Sequence, residues 1–147
     1  MLLAFLTYLL AGIALFWARR FGGKPERLAS LSILVWIAID PIYRTFVKTT
    51  QFGSVDWGLV VFDCGLAGAM MAIALRANRV WPVFAAAFTI VPLLGHLAAI
   101  IDHETARQAY WAINQLPFPL MLLSLMLGTA AHRRRTRLGF SFAEWST

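Results

Sequence analysis

Residues 57–101 read WGLVVFDCGLAGAMMAIALRANRVWPVFAAAFTIVPLLGHLAAII. Two apolar runs, 57–75 and 80–101, are parted by four residues, two of them Arg76 and Arg79. At about 1.5 Å of rise per residue, each run makes a helix long enough to cross about 30 Å of hydrocarbon. A connection this short makes sequence neighbours pack as an antiparallel pair. Two consecutive runs of this kind decide the class of the protein, an integral membrane bundle.

Three further runs flank this pair: 2–18, 28–47 and 109–131. The whole chain has 147 residues, of which 60% are hydrophobic and 14% charged. A soluble domain of this size is about a quarter charged. The fold expected is therefore all-α: a single transmembrane domain over residues 1–147, with five transmembrane helices at about 2–18, 28–47, 57–75, 80–101 and 109–131. A basic and aromatic cytoplasmic tail, 132–147, follows. The first run is followed, not preceded, by Arg19 and Arg20, the wrong order for a secretory signal.

Segments 19–27, 76–79 and 132–147 hold ten of the thirteen Lys and Arg residues. With five spans these segments fall on one side, so the positive-inside rule places the N-terminus outside and the C-terminus inside. Arg19, Arg20, Arg133, Arg134 and Arg135, with Lys24, Arg27, Arg76, Arg79 and Arg137, read as topology signals and anchors for anionic lipid. Trp57 and Trp111 read as outer interfacial anchors, Trp17 and Trp81 as inner ones. The net charge of +6 lies at the ends of apolar runs, not on a soluble basic face, which excludes nucleic-acid binding. The single cysteine, Cys64, excludes an intramolecular disulfide.

Four of the runs carry a polar residue at similar depth: Asp40, Asp63, His96 and Asn114. Each lies roughly 7–11 Å inside the expected outer face, where an unpaired polar group costs several kcal/mol. Asp40 and Arg44 are four apart and can meet on one helix face. Pro41 and Pro117 each remove a helical N–H and loosen a carbonyl. The leading interpretation is a closed network that fixes helix register, with Asp63 against His96 and Asp40 against Arg44. The alternatives are a divalent metal held by Asp63, His96 and His103, an ion or proton path, and haem or chlorin ligation by His96. No tight ligand motif accompanies these residues, so no cofactor is expected. A path is disfavoured because the inner half of every run is nearly free of polar groups. Close packing is expected where small residues recur, at Gly65, Gly68, Ala69 and Ala72 in the third run and Ala85, Ala86 and Ala87 in the fourth. The first run, poor in such residues, is expected at the periphery.

The C-terminal half, with Gly95-His96-Leu97-Ala98, Asp102, Ala109-Tyr110, Pro117-Phe118-Pro119 and Gly128-Thr129 before a basic end, resembles small uncharacterised multi-pass proteins of bacterial inner membranes. The resemblance implies a bacterial inner (cytoplasmic) membrane and carries no catalytic residues.

The function expected is a non-catalytic accessory or structural subunit of a larger bacterial membrane complex, of respiratory or photosynthetic type. It would act by helix packing and sealing, with membrane lipids and other integral subunits as partners. The alternative is a small ligand-, metal- or ion-binding membrane protein using the outer polar pocket. A membrane enzyme ranks third, because no nucleophile–base set is present.

Overall fold

The computed structural model describes residues 2–47, 56–101, 113, 115–139 and 143–145. Among them the chain is all-helical, with five helices: α1 Leu2–Phe21, α2 Lys24–Phe46, α3 Trp57–Arg76, α4 Trp81–Ile101 and α5 Pro117–Arg137. Three of these, α2, α3 and α4, are long and apolar enough to cross a membrane. Expected positions Asn114 and His103 lie outside the described residues.

Local chemistry sets the helix ends. Asp56 accepts hydrogen bonds from the amides of Gly58 and Leu59, which starts α3. Pro25 sits in the first turn of α2, where its missing N–H has no helical partner to lose. Pro117 likewise opens α5, so the break expected inside the fifth run is a helix start. The basic residues do not end the helices, as the apolar runs implied. α1 takes in Arg19 and Arg20, and α5 continues through His132 to Arg137. Cations in a last turn meet the negative end of the helix dipole, so those turns gain from their arginines.

The core gathers Ala11, Ala14, Leu15 and Ala18 of α1, Ala29 and Ile33 of α2, Leu66, Met70 and Ile73 of α3, Trp81, Ala85 and Ala86 of α4, and Met121, Leu122 and Leu125 of α5. α3 and α4 form one close pair, as the short turn between them requires, and α4 also lies along α5. α1 is not peripheral: four of its residues are buried, and it packs on α5 and α2. Nor do Gly65 and Gly68 face the neighbouring helices. A Cβ at either would meet nothing, and the inward face of α3 is Leu66, Ala67, Met70 and Ile73. A glycine that does permit close approach is Gly128, where a Cβ would overlap the Trp81 ring.

Outward faces are apolar. Phe16 is 70% and Leu127 71% exposed, with Leu75, Val80 and Val61 similar. In water each such side chain would forgo about 1.5–3 kcal/mol of burial. Lipid removes that cost.

Candidate functional site

Asp63 lies in the second turn of α3, where it meets α2 and α4. Its Oδ1 accepts the indole N–H of Trp36 at 3.0 Å, and its Oδ2 lies 3.0 Å from Nε2 of His96. An ionised Asp63 therefore fixes a proton on Nε2. The Trp36 ring stacks on Phe118 at 5.2 Å between centroids, which brings α5 to the same level. His96 is buried, while the Asp63 side chain retains 16% exposure. A carboxylate against an imidazole can act as an acid–base pair or as half of a metal site. Among the described residues no third His, Cys, Asp or Glu completes such a site.

The other described member of the expected layer, Asp40, makes a separate pairing. Asp40 pairs with Arg44 on its own helix, Nε to Oδ1 at 3.0 Å and to Oδ2 at 3.1 Å, and Arg44 is 41% exposed. One turn away, the Tyr43 hydroxyl donates to Asp56 Oδ1 at 2.7 Å. A Cβ on Gly58 would collide with the Tyr43 ring, so the glycine makes room for this tie. Among the described residues, Asp56 Oδ2 is buried without a hydrogen-bond partner. Among the described residues the layer inferred from depth divides into Asp40–Arg44 and Trp36–Asp63–His96, with Tyr43–Asp56 as a further pair between α2 and the start of α3.

A second carboxylate cluster occupies the opposite end of the bundle. Glu26, in the first turn of α2, precedes Trp36 by ten residues, about 15 Å of helix. It is fully buried. Its Oε1 accepts from Arg79 Nη1 and from the Trp81 indole N–H, both at 2.8 Å. Its Oε2 accepts the Gly23 amide at 2.9 Å, the backbone half of a capping box. The Arg79 side chain is only 6% exposed, and its Nη2 lies 3.9 Å from Glu144 Oε1. A Cβ on Gly23 would overlap Glu144 and crowd Arg79 and His132, so glycine there lets these groups converge. Burial, helped by the Arg79 charge, holds the His132 imidazole below the usual histidine range.

Several residues expected to face lipid therefore serve the fold. Arg79 is a buried ion-pair partner and Trp81 a buried donor, not an interfacial anchor. The Arg133 guanidinium lies over the Phe21 ring at 4.1 Å and near Trp17 at 5.5 Å, a cation–π clasp between α5 and α1. Arg19, Arg20 and Arg134 remain exposed and Arg135 half-buried, its Nε donating to the Ala131 carbonyl at 3.3 Å. Glu26 was missed as a site residue because it lies among cations outside the apolar run. The available signal was its place as an acid in the segment 19–27, three residues after Gly23. Trp36 was missed because an indole in an apolar run carries no charge to mark it.

No protein-family model, curated protein or solved structure matches this chain.

Proposed function

We propose that this protein is a non-catalytic accessory or structural subunit of a larger bacterial inner-membrane complex, of respiratory or photosynthetic type. In this reading all five helices span the bilayer, with the N-terminus outside and the arginine-rich C-terminal end inside. The observation that carries it is the closure of both buried clusters. Each oxygen of Glu26 and of Asp63 has a hydrogen-bond partner within the chain, and all of these but the Gly23 amide lie on other segments. Polar groups spent in this way set helix register, and the outward apolar faces are left for lipid and for neighbouring subunits. The exposed Arg19, Arg20, Lys24, Arg27, Arg134 and Arg137 suit the anionic headgroups of an inner leaflet.

Purification in mild detergent, followed by identification of co-purifying chains, tests the reading. Large integral subunits at fixed stoichiometry are expected, and recovery of this chain alone sinks it. A reporter fused to the C-terminus tests orientation, with cytoplasmic activity expected.

One observation favours the rival class, a ligand-, metal- or ion-binding protein: Asp63 keeps some exposure beside a buried imidazole. Asp63→Asn and His96→Ala separate the two. Loss of a binding or transport activity with assembly intact supports the rival, and loss of assembly supports the accessory role.

A further inference from the structure

The C-terminal residues 143–145 return to the arginine-rich end and touch it at four places. The Glu144 carboxylate accepts the Lys24 amide at 3.1 Å, and its Oε1 stands 3.9 Å from Arg79 Nη2. The Glu144 carbonyl accepts the Asn78 amide at 3.3 Å. Trp145 forms an isolated antiparallel bridge with Ala77, and its ring packs against the core. Contacts that close a loop of 120 residues cost entropy and persist only where the bonds repay it.

What these residues take from the bundle is what the helices can spare. The Lys24 amide belongs to the first turn of α2 and has no helical acceptor. The Asn78 amide lies in the turn between α3 and α4. Arg79 makes its short bond to Glu26 through Nη1, a different nitrogen from the one that approaches Glu144. Water can replace each lost partner without breaking a helical bond. The guanidinium of Arg79 and the backbone amide of Lys24 face the Glu144 carboxylate, and His132 stands beside them.

We propose that residues 143–145 are a charge-locked strap. The ionised Glu144 carboxylate holds it closed over the Glu26–Arg79 pair, and it opens as a unit while the bundle stays folded. Its release bares the N-terminus of α2 and the outer nitrogen of Arg79.

Hydrogen exchange on the full chain in detergent tests this. Glu144→Gln keeps the shape and removes the charge. Exchange at the Lys24 and Asn78 amides should then rise about tenfold, the worth of one charge-assisted hydrogen bond. Amides of Ile33, Met70 and Leu125, deep in α2, α3 and α5, should not change. Unchanged exchange at Lys24 and Asn78 overturns the charge lock, and a uniform rise overturns the separable strap. A second variant fixes the closed state. Residues opposed across an antiparallel bridge have Cα atoms about 4.5–5.5 Å apart, within disulfide range. Ala77→Cys with Trp145→Cys, in a Cys64→Ser background, should oxidise readily and cancel the effect of Glu144→Gln. Failure to oxidise, or exchange that still rises, overturns the proposal.

Discussion

Glu26 and Asp63 are both carboxylates held between helices, and the difference between their surroundings separates a fastener from a place where chemistry is possible. Glu26 is fully buried and meets a permanent cation, Arg79, together with an indole and a backbone N–H. Asp63 is partly exposed and meets an indole and an imidazole, whose charge depends on a proton. A guanidinium stays charged at every accessible pH, so the first cluster is fixed. Among the described residues the second holds no permanent cation. The basic end is thus the rigid one, although the sequence marks it as a solvated fringe.

Removing Glu26 gives the largest effect. Glu26→Ala leaves the guanidinium of Arg79 buried without its main counter-charge, at a cost of about 3–5 kcal/mol. Thermal unfolding in detergent should show a large fall in midpoint, and Glu26→Gln a smaller one, since the amide oxygen still accepts from Trp81. A midpoint unmoved by Glu26→Ala would mean that the cluster contributes no stability, and the contrast with Asp63 would vanish.

Next is Gly128→Ala, which drives a methyl into the Trp81 ring. Overpacking of this kind costs about 1–3 kcal/mol. It also pulls the indole N–H from Glu26, so Trp81 emission should shift as stability falls. A stable variant with unchanged emission would show that α4 and α5 can part without disturbing the knot.

At Asp63 the effect should be smaller. Interhelical hydrogen bonds in membrane proteins average about 0.6 kcal/mol and reach about 1.7. Asp63→Asn, which can keep both contacts, is expected at the low end, and Asp63→Ala near the top. A loss as large as that at Glu26 would place both clusters in one class.

Acid should act through His132. Its folded-state value lies below that of the unfolded chain, which is near 6.5, so the unfolded state binds more protons between the two. Stability is therefore full above about pH 6.5 and falls as pH drops through that value. His132→Gln should flatten the acid side of a stability profile. An unchanged profile would show that His132 titrates alike in both states.

Much of the architecture was legible because apolar length and charge spacing report helices directly. The runs 57–75 and 80–101 differ little from α3 and α4. Facing was not legible. In a soluble helix the apolar stripe marks the buried side, but lipid makes both sides apolar and erases that contrast. Hence Gly65 and Gly68 were assigned inward and turn outward, while Ala11, Ala14 and Ala18 proved to be core. Depth along the run placed Asp63 and His96 at one level, and the structure sets them in contact. Depth alone could not exclude Asp40 from the same group, because a pairing four residues along one helix satisfies it locally. The Glu26 knot stayed hidden for a different reason. Its partners lie 53 and 55 residues away, in the turn after α3 and at the start of α4, where no periodicity links them to Glu26.

The smallest effect belongs to Asp40–Arg44, and its smallness is informative. The pair is four residues apart on one helix, and Arg44 is exposed. Pairs of this kind are worth about 0.3–0.5 kcal/mol, less as salt rises. Arg44→Gln should move the unfolding midpoint within measurement error in high salt and slightly in low salt. If Arg44→Gln instead destabilises as much as Asp63→Ala, with no salt dependence, then Asp40 is buried against something beyond Arg44. The end of the bundle carrying Asp63 would then hold a second sealed carboxylate, and the contrast between a rigid basic end and an open opposite end would have to be withdrawn.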